Sequence, residues 1–261
     1  MKVPSSQDIV CLLVHGLNGI RYDFDEIAQV LRDHGYATNQ LLLPGHEVQA
    51  REARQYGWND WAESLQRRYE DLQARHARVV VIGHSMGGTL ALNLAEREPR
   101  VTALVTLCAP TNLHASLPHI VRFGRYILPY LPIMSEDISD PNERQYYRRR
   151  KVSQWMALAP LHTLLQVLPL VRANLRRVRC PALVVAARND HVVPFRDAYT
   201  IYEHIASRHK QLVILEKSWH VVTRDVESDL VADHILRFLR QLDDDTPIME
   251  PPVQFASELV G

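Results

Sequence analysis

The 261-residue chain has no net charge to speak of: 30 basic residues balance 30 acidic ones, and the pI is near 7.2. Nothing in that balance asks for nucleic acid or an anionic membrane as partner. Cysteine is scarce as well. Cys11, Cys108 and Cys180 are odd in number, far apart and set in or beside apolar runs. They read as small buried hydrophobes of a reduced compartment, which argues against a disulfide framework or a metal site. Long hydrophobic runs are missing too. Residues 9–14 are apolar but too short to span a membrane, and they lack the charged start and cleavage site of a signal peptide. A soluble, cytoplasmic protein is the expectation. No internal repeat or low-complexity segment interrupts the chain. What is plentiful is apolar side chains: at 46% hydrophobic, the chain can bury a full core as one large domain, or as a domain plus an inserted piece.

The richest stretch is residues 78–88. Val79, Val80, Val81 and Ile82 read as a strand buried on both faces, as in the centre of a parallel sheet. Gly83-His84-Ser85-Met86-Gly87 follows, a G-x-S-x-G sequence, and residues 89–96 have helical composition. Strand, sharp turn and helix are the context of a nucleophile elbow. A serine at such a tip sits in a strained conformation, so its neighbours two before and two after must be small. Gly83 and Gly87 satisfy that. The helix behind Ser85 aims its N-terminal N–H groups at the serine and favours an oxyanion there.

Around this stretch, strands and helices alternate. Residues 8–14 form a strand that runs into His15-Gly16-Leu17-Asn18-Gly19. Residues 22–34 have helical spacing and close on Gly35, residues 40–43 are a strand, 58–76 a helix and 101–109 a strand. The alternation predicts a parallel sheet with right-handed crossovers. From 111 to 179 it stops. Six prolines, short helical pieces (120–130, 142–157 and 163–175) and the basic cluster 144–151 mark an inserted helical cap, with the cluster as a solvated helix face. Strands resume at 181–187 and 211–215, with helices at 198–207 and 226–242. Residues 243–261 hold an acidic run and no clear period, and read as a loosely held tail.

Four segments in order carry a resemblance: His15-Gly16-Leu17-Asn18-Gly19, Gly83-His84-Ser85-Met86-Gly87-Gly88, Arg188-Asn189-Asp190-His191-Val192-Val193-Pro194, and Ser218-Trp219-His220-Val221-Val222. Over residues 8–242 the chain resembles the α/β-hydrolase superfamily, and more closely the bacterial carboxylesterases and monoacylglycerol lipases with a short helical cap. The resemblance implies an α/β fold with a mostly parallel central sheet flanked by helices. Its core would comprise residues 1–110 and 180–242, and its cap 111–179. The order Ser, Asp, His is the one this fold predicts. Ser85 would be nucleophile, His220 the base and Asp190 its orienting acid. Of thirteen histidines, His220 alone follows the last strand and precedes the final helix. Asp197 and Asp225 are rivals for the acid; Asp190 lies just past a strand end, and Asp225 reads as the N-cap of the final helix. The N–H of Met86 and, by resemblance, that of Leu17 would form the oxyanion hole.

The implied activity is hydrolysis of carboxylic esters, with short- to medium-chain acyl esters or monoacylglycerols as small-molecule substrates. It would need neither cofactor nor metal, and would touch lipid surfaces at most transiently. C–C bond hydrolysis or cofactor-free perhydrolysis by the same triad is the alternative enzyme class. A non-catalytic ligand receptor on this fold fits an intact triad least well.

Overall fold

The computed structural model describes residues 9–112 and 117–243. Among the described residues six strands form the central sheet, β1 (Ile9–Val14), β2 (Ala37–Leu41), β3 (Arg78–His84), β4 (Ala103–Leu107), β7 (Ala182–Ala187) and β8 (Lys210–Leu215), and β5 (Tyr130–Pro132) and β6 (Trp155–Ala157) lie outside it. Their order across the sheet is β2-β1-β3-β4-β7-β8, and every neighbouring pair is parallel. Because β1 pairs with both β2 and β3, the winding reverses there, and loops at the carboxyl ends of the strands open onto a common crevice.

Alternation along each strand sorts side chains onto two faces. Ile9, Cys11, Leu13, Val80 and Ile82 pack against α1 (Asp25–Asp33) and α9 (Ser228–Asp243), through Ile27, Leu31, Ile235 and Phe238, and against Phe24 in the turn before α1. Val10, Leu12, Val79 and Val81 face α3 (Trp58–Gln73), α4 (Met86–Ala95) and α8 (Arg196–His204), whose Trp61, Leu65, Leu90 and Ile201 cover them. A one-turn helix, α2 (Ala50–Ala53), precedes α3. Burial pushes the thiols of Cys11 and Cys180 up to about 12, so both are neutral thiols at pH 7.

Between β4 and β7 lie α5 (Leu117–Ile127), β5 (Tyr130–Pro132), α6 (Pro141–Arg150), β6 (Trp155–Ala157) and α7 (Leu158–Asn174). The helix expected over 142–157 stops at Arg150. Trp155–Ala157 instead pairs antiparallel with Tyr130–Pro132. The side chain of Asp140 caps α6 through the N–H of Asn142 (2.8 Å), with Pro141 at the first position, where no donor is missed. α7 starts five residues earlier than its spacing suggested, because Pro160 falls in the first turn. Its Leu164, Leu165, Leu168 and Val171 join the core on the α4 face, so α7 serves as the crossover into β7.

The basic cluster is a solvated face in part: Arg148, Arg149 and Arg150 are exposed, as expected, whereas Tyr147 is buried and Arg144 and Lys151 turn inward. Arg144 lies 4.8 Å over the Trp219 ring and donates to the carbonyls of Ile138 and Ser139. Lys151 pairs with Glu136 at 2.9 Å, both side chains buried. Arg150 stacks on Tyr22 at 4.2 Å, and Arg148 donates to the Met134 carbonyl. Irregular backbone in 133–140 supplies carbonyls that Arg144 and Arg148 satisfy. The tail expected from 243 falls almost wholly outside the described residues. Among the described residues no helix is long and apolar enough to cross a membrane.

Candidate active site

Ser85 stands between β3 and α4 at φ 52°, ψ −123°. Its N–H donates to the Leu107 carbonyl at 2.7 Å, which pins the turn to β4. A methyl group on Gly83 would overlap the Gly87 carbonyl, and one on Gly87 would overlap that of Val14. The two glycines are therefore required by backbone approach, as the G-x-S-x-G spacing implied.

Three loops at the carboxyl end of the sheet converge on this serine. Ser85 Oγ lies 2.9 Å from His220 Nε2, and His220 Nδ1 lies 2.7 Å from Asp190 Oδ2. The other carboxylate oxygen accepts the N–H groups of Val192 and Val193, each at 2.8 Å. Burial works to raise the Asp190 carboxyl, but His220 and these donors outweigh it and hold it below the ordinary carboxylate range. It stays ionised beside the imidazole.

The rivals for the acid are occupied elsewhere. Asp197 accepts the N–H groups of Thr111 (2.6 Å) and Asn112 (2.8 Å), anchoring the start of the insertion. Asp225 is not the expected cap of α9, which begins at Ser228. Its carboxylate accepts from Ser139 N and Oγ, Asp140 N, Trp219 N and Val226 N, joining the insertion to the His220 loop.

The flanking histidines are structural. His84 donates from Nε2 to the His220 carbonyl at 2.9 Å; burial, and then the neighbouring His220, push it down to about 3. His15 accepts the Leu43 N–H on Nε2 and donates from Nδ1 to the Gly16 carbonyl. Its ring lies 4.5 Å from that of His46, and burial holds both well below the ordinary histidine value. This anchors the loop carrying Leu17 close to the serine: a Cβ on Gly16 would come within 3.0 Å of the Ser85 Cβ. Met86 is the first residue of α4, so its N–H has no acceptor within the helix.

Among the described residues, one grouping has metal-ligand types in close array: Cys108, Asp190 and His220, with ligand atoms within 4.8 Å of one another. Two of its members already bond each other, and burial followed by the Asp190 charge keeps the Cys108 thiol well above its ordinary value. The thiol is thus a neutral neighbour of the carboxylate. Sequence reasoning missed Asp137. Its carboxylate accepts the backbone N–H groups of both His191 (3.1 Å) and His220 (3.0 Å).

A parallel sheet of this order, with a serine at a left-handed turn linked through histidine to a buried aspartate, defines an α/β-hydrolase, an enzyme class. Comparison with known proteins narrows it. The chain belongs to the family described as Serine aminopeptidase, S33, whose profile matches residues 5–227. It is 31% identical over 229 residues to the thermostable monoacylglycerol lipase of Bacillus sp. (strain H-257), covering 87% of this chain and 88% of that one. Identity to the carboxylesterase of Bacillus subtilis (strain 168) is 29% over 237 residues, covering 90% and 94%. A solved chain from work on LipS and LipT, two metagenome-derived lipolytic enzymes, superimposes with a TM-score of 0.83 at 26% identity, covering 90% and 94%.

Proposed function

We propose that the chain is a serine hydrolase of carboxylic esters, acting through an acyl-enzyme on Ser85, with short- to medium-chain acyl esters or monoacylglycerols as its substrates. The observation that carries this reading is the pair of hydrogen bonds at His220, 2.9 Å to Ser85 and 2.7 Å to Asp190. His220 Nε2 takes the serine proton as Oγ attacks the ester carbonyl, then returns it to the leaving alcohol. Asp190 holds the Nδ1–H tautomer and stabilises the imidazolium that forms. Water, activated by the same nitrogen, releases the acid. The N–H groups of Met86 and Leu17 stabilise the oxyanion, each contributing about 3 to 4 kcal/mol to the transition state. Residues 111–179 act as a cap that sets substrate choice, with α7 doubling as a core crossover. The family's description names a peptidase, but two relatives spanning most of the chain bear ester-cleaving names, which favours the ester.

Two measurements test the reading. Rates on p-nitrophenyl esters of increasing chain length, beside a monoacylglycerol, a vinylogous diketone and peroxide, are expected to be highest on an ester. Ser85→Ala is expected to lower turnover by roughly four to six orders of magnitude with the fold intact. A variant that kept a tenth of the activity would remove Ser85 as nucleophile.

A further inference from the structure

We propose that Asp137 is a positioning residue: from the insertion, its carboxylate ties the loop of Asp190 to the loop of His220 and fixes the geometry between them. This rests on the triad reading above. Asp137 lies ten residues past the end of α5, in the irregular stretch between β5 and α6.

His220 is held by its backbone on every side, and Asp137 supplies most of the hold. The His220 N–H donates to Asp137 Oδ2 at 3.0 Å, and the next N–H, that of Val221, donates to the Asp137 carbonyl at 3.0 Å. The carbonyl of His220 accepts from His84 beside the elbow. On the acid side, His191 directly follows Asp190. Its N–H reaches the same Asp137 Oδ2 at 3.1 Å, and its ring Nδ1 lies 2.8 Å from Oδ1. One carboxylate therefore spans the residue after the acid and the base itself.

Asp137 is in turn fixed from behind. Ile138 is fully buried, Arg144 takes the carbonyls of Ile138 and Ser139 while covering Trp219, and Asp225 takes the N–H groups of Ser139 and Trp219. Two peptide torsions set where the imidazole points, and misplacement of a catalytic group by about 1 Å costs on the order of a hundredfold in rate. Without the Asp137 carboxylate, the partly buried N–H of His220 loses its acceptor, the exposed N–H of His191 is left to solvent, and the carboxylate link between the two loops is gone. The insertion thus reaches past substrate choice into the rate of the chemical step.

The test compares Asp137→Ala with Asp137→Asn, whose side-chain carbonyl still accepts both N–H groups. For folded Asp137→Ala, kcat on a soluble short-chain ester is expected to fall about 10- to 100-fold with KM little changed. The rate at which a small p-nitrophenyl phosphonate labels Ser85 is expected to fall in step. Asp137→Asn is expected to stay within about threefold of wild type in both assays. A purely structural residue would lower the melting temperature and leave both rates of the folded enzyme unmoved. That result, or an Asp137→Asn as slow as Asp137→Ala, overturns the proposal. Should Asp137→Ala fail to fold, Asp137→Ser, too short to span both loops, is read by the same criteria. A wild-type protein that is not labelled at Ser85 overturns the triad itself, a separate result.

Discussion

Ser85 occupies a backbone conformation that L residues avoid, and such a residue costs on the order of 1–3 kcal/mol unless its surroundings enforce it. The surroundings here are backbone: Gly87 rides on the Val14 carbonyl, and Gly83 on that of Gly87. Gly87→Ala is therefore expected to destabilise the protein and abolish activity together, since neither carbonyl can yield without moving β1 or α4. Gly124, inside α5, is the control. A Cβ there meets nothing within 4 Å, so Gly124→Ala is expected to stabilise by about 0.5–1 kcal/mol in denaturant titration, with activity unchanged. The elbow was legible in the sequence because its constraint is local, two small residues at fixed offsets from a serine. His220 and Asp190 were legible from their places after strands. Asp137 was not: it contacts residues 54 and 83 positions away, and no local pattern marks one aspartate for that work.

The elements of the sheet were readable because residues such as 79–82 are apolar on both faces, a pattern that leaves few alternatives. The insertion was harder. Residues 142–157 have helical composition with no breaker, yet Lys151 leaves the helix to pair with Glu136 in the interior, and 155–157 are recruited by β5. Tertiary partners overrode propensity there. α5 shows how two faces of one helix differ. Val121 is 3% exposed and belongs to the core, whereas Ile120 and Phe123 are each 64% exposed and Ile127 is 86% exposed. Val121→Ala is expected to cost roughly 1–3 kcal/mol of stability. Ile127→Ala is expected to stay within about 0.5 kcal/mol of wild type. Equal losses at the two positions would contradict the orientation of α5.

At the scale of the whole fold, histidines buried in the neutral form make acid destabilising. His84 and His46 are pushed down to about 3 and about 4, and His15 also lies well below 6.5, chiefly through burial. Their native pKa values are depressed. Stability from this source is thus complete above about pH 6.5 and is lost as pH falls toward the native values, because the unfolded chain binds protons the native one refuses. Asp23 works the other way. Burial raises it to about 6, so between about 6 and 4 the native state holds a proton that the unfolded state lacks. These four groups, three histidines against one aspartate, contribute about two protons taken up on unfolding near pH 5, on the order of 2–3 kcal/mol per pH unit. Unfolding free energies measured from pH 6.5 to 4.5 are expected to fall, and Asp23→Asn is expected to steepen the fall by about one proton. A flat profile would show that these histidines are not buried neutral.

The burial of α7 also decides where this protein can be recombined with its relatives. A chimera that exchanged residues 117–157 would leave Leu164, Leu165, Leu168 and Val171 in place over the sheet. One whose junction lay at 179 would strip that cover from the host and import side chains shaped to another interior. Even the shorter exchange would carry Asp137 away with it, so a donor segment lacking an acceptor at that position should graft as a folded but sluggish enzyme.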